Sequence, residues 1–490
     1  MPPQNAALDT LRTALDLAIV MATGDPSAKP RPGQLDLATR IWQAMAETSG
    51  RFAGEAPTGS GKSFAAGVPA MLRSALYRER TVISTETIGL QSQLIEKDLP
   101  VVAKAIAETT GLRPPDFAVL KGWGNYACLL LAAVKLGIEV PKQADYESVV
   151  DMVDDLPADA HPLAAWALRT VLDGTSGDRA SVPMGLITGD RYRDEWKTVS
   201  VQPHECVGVN ECPFGSMCRP AMARAQSRDA QVIVTNHSML AVQAVSGAPV
   251  VIGNKHIGDI DHLVVDEAHS LADVVRDRGA ASIGGVSLLN ILRAVERTVP
   301  SGRSKNAGGL RELCMETAVH LDTVLASMVP TGAQVAPVPP DIDTPDWKEM
   351  QTAVTGWLNL ARKAVPPPRT TNVMADRRSR KAVLNTIASM LAITSAATNN
   401  PREFARWVAI EHVPSKVPAA LSEMRGATLH ISPVDVGPML QHNLYAPTMR
   451  AGGKAAGYDS GDDWGDGTDE GALPTDAAVS VTLLSATLPQ

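Results

Sequence analysis

The chain lacks any apolar run long enough to cross a bilayer. Its best candidate, residues 127–134, falls well short of the roughly 18 residues a span needs and is followed by Lys135. The N-terminus also lacks the charged-then-apolar pattern of a secretory signal. These two absences predict an intracellular, cytoplasmic chain with no membrane partner. There is no excess of basic charge: 45 Lys and Arg stand against 53 Asp and Glu, a formal net charge of −8. That excludes a histone-like polybasic binder, but a local basic groove is enough for nucleic acid, so that class stays open. Cysteine is scarce and odd in number: Cys128, Cys206, Cys212, Cys218 and Cys314. Such a count in a large chain without a signal peptide argues against a disulfide framework. There is no internal repeat. The 490 residues leave room for two to four structural units and a sizeable core.

Short apolar runs at 52–56, 81–84 and 117–120 alternate with helical patterns, as do later runs at 232–235 and 262–265. Strands alternating with helices predict an α/β fold with a parallel, doubly wound sheet. The alternation fades over 121–220, where the cysteines cluster. From 276 to 425 helical patterns dominate, at 286–295, 310–328, 347–364 and 382–397, separated by Pro-rich loops at 335–340 and 366–368. This segment reads as a helical insertion. Strand-like pattern resumes at 427–431 and at 479–484, and between them residues 452–470 form a Gly- and Asp-rich loop. That loop has acids at positions 1, 5 and 12 of a calcium-loop register, but Trp464 stands where an EF-hand needs glycine, so the EF-hand is rejected.

Ala56-Pro-Thr-Gly-Ser-Gly-Lys-Ser63 follows a short strand and precedes a helix. This is the P-loop pattern, with Ala56 where its first Gly usually stands. Gly59 and Gly61 allow the tight turn that aims backbone N–H groups at phosphate oxygens. Pro57, Thr58 and Ser60 complete the loop, Lys62 reaches the β- and γ-phosphates, and the Ser63 hydroxyl suits Mg²⁺. Val264-Val-Asp-Glu-Ala-His269 delivers two carboxylates to the end of a second apolar run. Asp266 suits Mg²⁺ held through water, and Glu267 suits orientation of the attacking water. In that order the two motifs predict a nucleoside-triphosphate site.

Asp-Glu-Ala-His is the signature of superfamily 2 helicases, and further blocks resemble the iron–sulfur helicases of the XPD/DinG type. Arg31-Pro-Gly-Gln34 is similar to the element in which a Gln reads adenine. Residues 82–100 resemble motif Ia, residues 119–128 the approach to the first cluster cysteine, with Trp123 replacing a more usual Arg, and residues 232–240 the block after the cluster. Residues 431–436 resemble the segment re-entering the motor, and Leu484-Ser-Ala-Thr-Leu488 resembles motif III. The resemblance implies a RecA-like P-loop NTPase domain interrupted by an iron–sulfur unit and a helical arch-like insertion. Its implied boundaries are 1–120, 221–275 and 426–490 for the first motor domain, 121–220 for the cluster unit and 276–425 for the arch. It implies catalytic roles for Lys62, Asp266, Glu267 and His269, and coupling through Ser485, Ala486 and Thr487.

Cys128 stands apart from Cys206-x5-Cys212-x5-Cys218. Four thiolates suit a 4Fe–4S cluster, zinc sites usually show tighter pairs, and unliganded thiols remain the plain alternative; the resemblance favours the cluster. Cys314, in a helical stretch, reads as a packing residue. Thr85, Asn236 and His237 are placed by resemblance for nucleic-acid contact or coupling. Arg377, Arg378, Arg380 and Lys381 form a basic cluster that reads either as a strand contact under the arch or as a solvated helix face. The expected activity is 5′→3′ translocation on single-stranded or forked DNA, coupled to hydrolysis of ATP with Mg²⁺. The expected chain ends at Gln490, just past motif III, without the second motor domain. The alternative is therefore an ATP- and DNA-binding regulatory or split-helicase subunit whose missing domain comes on a separate chain.

Overall fold

The computed structural model describes residues 4–47, 49–186, 192–298, 307–366, 373–399, 403–411, 424–446 and 479–486. Six strands, β1 (Arg51–Glu55), β2 (Thr81–Thr85), β3 (Phe117–Val119), β4 (Val232–Asn236), β5 (His262–Asp266) and β10 (Ser480–Ser485), form one sheet in the order β1-β10-β5-β2-β4-β3. Every pairing is parallel. The sequences of β2 and β4, TVIST and VIVTN, are buried throughout, as expected for strands covered on both faces. One face carries helices Gln4–Thr23, Pro32–Ala46, Lys62–Tyr77 and Leu99–Thr110 around Leu15, Ile41, Met71 and Leu72. The other carries His237–Ser246 and Leu271–Gly279 around Leu240, Leu263 and Val265. The result is a mixed α/β fold consistent with a P-loop, RecA-like architecture. Register brings Glu55 beside Ser485, Leu484 beside Asp266 and Thr85 beside Asn236, so the C-terminal strand ends share one rim.

Residues following β3 pass into a separate core built on Leu163, Leu168, Trp196, Val199 and Phe214. Within it Ala127 N–H bonds Gly177 O (2.8 Å) and Cys128 N–H bonds Val199 O (2.7 Å), and a buried Lys121–Asp178 ion pair ties it to the end of β3.

The third core lies between 281 and 433. Helices Gly285–Thr298, Ala307–Ser327, Pro345–Ala364 and Val373–Asn399 occupy the four helical patterns. The segment is nevertheless not helical alone. Strands β6 (Ala281–Gly284), β7 (Val335–Pro337), β8 (Phe404–Ile410) and β9 (Ala427–Pro433) form an antiparallel sheet in the order β6-β9-β8-β7. The Pro-rich stretch expected as a loop at 335–340 thus contains β7, an edge strand, where Pro337 is tolerated. β9, which covers the start of the segment resembling the re-entry at 431–436, pairs with β6 and β8, while Val436 packs into the core on the second face of the parallel sheet. Only β10 of the last segment joins the parallel sheet. The acidic loop at 452–470 and Thr487 lie outside the described residues. Among the described residues no helix is long and apolar enough to cross a membrane.

Candidate nucleotide site, groove and thiol cluster

At the rim, β1 hands over to Ala56, whose N–H bonds Ser485 O at 2.8 Å. The loop then turns through Gly59 (φ +78°) and Gly61 (φ +87°) into the helix that starts at Lys62. Both glycines are in the left-handed region, and a Cβ on Gly61 would lie 2.3 Å from Gln34 Nε2. Pro57 and Thr58 are exposed, and the Ser60 hydroxyl is buried without a hydrogen-bond partner. Arg31 Nη1 donates to Gly59 O (2.5 Å) and Gln34 Nε2 donates to Gly61 O (3.1 Å). The residues expected to read adenine therefore brace the phosphate loop here.

Lys62 Nζ lies 2.6 Å from Glu267 Oε1, both side chains largely buried. Glu267 has φ +54°, a left-handed conformation uncommon for a side chain of this size and costing on the order of 1–2 kcal/mol. Its carbonyl accepts from Ser270 Oγ (3.0 Å) and lies 3.4 Å from His237 Nε2, and Oε2 lies 3.4 Å from Ala486 N. Burial works to raise the Glu267 carboxyl, but hydrogen bonding and charge from Lys62 hold it below its ordinary value. Asp266, at the end of β5, is pushed up by burial, with Lys62 opposing. His269 Nδ1 meets Ser485 Oγ at 2.9 Å. The structure thus brings Lys62, Asp266, Glu267, His269, Ser485 and Ala486 to one place. Ser63 hydrogen-bonds the Asp98 carboxylate, which burial nevertheless pushes up. Asp98 was missed in the sequence, although it lies within the motif Ia block.

Thr85, Asn236 and His237 are all buried. Thr85 Oγ1 donates to Thr87 O (3.1 Å), and Asn236 Oδ1 accepts from Met239 N, capping helix His237–Ser246. His237 bridges β2 to the turn at Glu267: Nδ1 lies 2.8 Å from Ser84 Oγ. Burial lowers His237 to about 4 from an ordinary 6.5, so the fold holds it neutral. The unfolded chain then takes up more protons between those values, and stability present above pH 6.5 is lost as pH falls toward 4. Between pH 7 and pH 5 the wild-type chain is expected to lose about 2 kcal/mol through this residue. Urea denaturation at both pH values should show a smaller difference in His237→Gln; equal differences would contradict this origin.

A groove of about 990 Å³ runs from the rim between residues 122–125, helix Tyr192–Val199 and helix Val373–Asn399. Asn236 and Ser238 line it, with Arg179, Lys197, Arg224 and Arg278 supplying positive charge and Glu86 and Asp277 negative charge; Lys197 is paired with Asp194. The Arg224 guanidinium stands 4.5 Å from the Trp123 ring centre, so a cation lies beside the position where the sequence replaces an arginine. Of the predicted basic cluster, Lys381 Nζ reaches Cys206 O at 3.4 Å, and Arg380 Nε is buried without a partner. The side chains of Arg377 and Arg378 lie outside the described residues. The same helix meets the groove one and two turns further on, through Asn385 and Ser389.

Cys128, Cys206 and Cys218 surround Trp123, Leu131 and Val201, with Cys212 in the adjoining core. None forms a disulfide. Burial raises Cys128 strongly, Cys212 to about 11 and Cys218 to about 12, and Cys128 is raised further by the charges of the other three. Backbone groups of Leu131, Phe214 and Ala221 oppose this at Cys128, Cys212 and Cys218, and Gly208 N–H points to Cys206 Sγ at 3.4 Å. Among the described residues no three His, Cys, Asp or Glu side chains converge to hold one metal ion. Cys314 is buried apart from them in the third core.

No family model matches the chain. It is 39% identical over 274 residues to the ATP-dependent helicase DinG of Mycobacterium tuberculosis, covering 55% of this chain and 38% of that protein. It is 30% identical over 281 residues to the ATP-dependent DNA helicase YoaA of Escherichia coli K12, covering 56% and 38%. The chain therefore spans less than half the length of these relatives. The S. tokodaii Xpd4 structure aligns over 94% of this chain and 58% of its own at 10% identity, with a TM-score of 0.40, a likeness too weak to argue from. Over the matched residues the chain is similar to these helicases.

Proposed function

We propose that this chain is the ATP-binding lobe of a DinG-type DNA helicase, coupling ATP hydrolysis to 5′→3′ movement along single-stranded DNA. The observation that carries the reading is the contact of Lys62 with Glu267, itself within reach of the Ala486 N–H, where three strand ends meet. In this reading the backbone N–H groups of 59–63, the free Ser60 hydroxyl and Lys62 take the phosphates, and Lys62 leaves Glu267 to do so. Glu267 is then released to orient water. Movement of Glu267 changes its contact with Ala486 and, through its carbonyl, with His237 and Ser84, which leads into β2 and Thr85. Ser63 and Asp266 would hold Mg²⁺, whose charge offsets that of the phosphate oxygens. Cys128, Cys206, Cys212 and Cys218 would hold a 4Fe–4S cluster, which supplies a rigid cross-link. The groove's mixture of cations and aromatic rings suits a single strand, and Lys381, Asn385 and Ser389 bring the third core against it. A second motor lobe, from further residues or a separate chain, would close over the nucleotide.

ATP hydrolysis by the anaerobically purified chain, with and without single-stranded DNA, tests the reading. DNA-stimulated turnover is expected once the second lobe is supplied. Binding of ATP and DNA with no turnover under that condition would favour the regulatory-subunit alternative, and failure to bind ATP would overturn both.

A further inference from the structure

The wall of the groove formed by residues 122–125 and helix Tyr192–Val199 carries two buried tryptophans, Trp123 and Trp196, joined by the bond from Trp196 Nε1 to Gly124 O (2.7 Å). Each indole seats an arginine. The Arg224 guanidinium stands 4.5 Å from the Trp123 ring centre, and that of Arg179 stands 6.0 Å from the Trp196 ring centre. A cation over an indole face is held there by the ring, and its flat fork keeps N–H groups at the edge, the geometry that phosphate oxygens accept from. Arg224 Nη1 also donates to Pro220 O (3.4 Å), which fixes its plane further. The rest of the groove is different. The carboxylates of Glu86 and Asp277 come from the parallel-sheet body, just past β2 and on helix Leu271–Gly279, and would repel a phosphate. Helix Val373–Asn399 presents Asn385, Thr386 and Ser389 to the groove, which carry hydrogen-bonding groups and no charge.

We propose that Arg179 and Arg224 are phosphate contacts of this groove, so that a single strand of DNA lies with its backbone along the tryptophan wall and its bases toward helix Val373–Asn399. The inference deepens the single-strand reading above and rests on it. Charge sorts the two halves of a nucleotide. The anionic backbone is drawn to the wall where cations are seated on rings and away from Glu86 and Asp277, and the uncharged bases are left to amide and hydroxyl groups. Both indoles are buried, so they act as seats for the cations rather than as surfaces for stacked bases. Phosphate contacts position a strand without reading its sequence, as movement along DNA requires.

The test measures binding of the full chain to an oligo-dT strand and to an abasic strand of equal length, by fluorescence anisotropy over a range of salt. Arg179→Gln and Arg224→Gln are each expected to weaken both strands about tenfold, the scale of a lost charge-assisted hydrogen bond, and to flatten the plot of log affinity against log salt by about 0.7. Arg179→Lys and Arg224→Lys keep the charge and should keep the slope. Arg179 is the less buried of the two, so its variants decide the matter if Arg224→Gln does not fold. Asn385→Ala combined with Ser389→Ala should weaken oligo-dT about fivefold and leave the abasic strand and the slope unchanged. An unchanged slope in Arg179→Gln overturns the inference, as does a loss confined to oligo-dT in the arginine variants, which would make them base contacts. Equal losses in the Gln and Lys variants at an unchanged slope mark a packing role and also overturn it. A wild-type chain that binds neither strand overturns the single-strand reading itself, a result separable from these.

Discussion

Lys62→Ala is expected to weaken Mg·ATP binding by ten- to a hundredfold, about 1.4–2.7 kcal/mol, and to abolish any turnover. In the proposed function the ammonium is the cation presented to phosphate, and in the structure it is already charge-paired, 2.6 Å from Glu267. Removing it costs the phosphates their partner and leaves Glu267 as an uncompensated carboxylate facing them. The fold should survive, because Glu267 keeps its contact with Ala486 and Ala is a good helix former at the start of Lys62–Tyr77. Glu267→Gln provides the opposing sign. It also ends turnover, but it frees Lys62 and removes a negative charge, so ATP should bind at least as tightly as in wild type. Fluorescent-nucleotide titration of the three proteins separates these effects. Wild-type affinity in Lys62→Ala would remove this loop from the nucleotide site.

The two motifs behind that prediction were legible because their chemistry is local. A strand, a glycine-rich turn and a helix lie consecutively in the chain, and Gly59 and Gly61 take the positive φ that glycine makes cheap. The sheet was legible for a similar reason: the apolar centres of VIVTN and HLVVD read as short buried strands. The third core was less so. Its helices follow plain 3.6-residue patterns, but β9, Ala-Thr-Leu-His-Ile-Ser-Pro, alternates buried and half-buried residues along its whole length. Such alternation marks an antiparallel sheet with one face outward, and the chain returns to the parallel sheet just beyond it, at Val436. Other features could not be read at all. That Gln34 bonds Gly61, that Ser63 meets Asp98, and that Asn385 lines the groove depends on how separate elements pack. No spacing encodes those distances.

The tie between the sheet and the cysteine-bearing core is the place where one substitution should cost most. Lys121 follows β3, and the preceding Leu120 is locked in the sheet: its N–H bonds Val234 O, and its carbonyl accepts from Thr235 Oγ1 at 2.9 Å. Asp178 belongs to the other core, where Oδ1 also accepts from Ala180 N–H at 2.8 Å. The paired side chains are 5% and 11% exposed, so neither charge has water to fall back on. Asp178→Ala strands the ammonium and is expected to destabilise the chain by about 3–5 kcal/mol, because the loss is the penalty of an unpaired buried charge rather than the net worth of the pair. Lys121→Met with Asp178→Ala should recover most of that loss, since both charges are then gone. Urea unfolding of the two single variants and the double variant closes the cycle. A single-variant cost below about 1 kcal/mol would mean that solvent reaches the pair. Limited proteolysis adds the spatial test: if the pair fastens the cores together, cleavage in Asp178→Ala should begin near 121–127, while the parallel sheet remains protected.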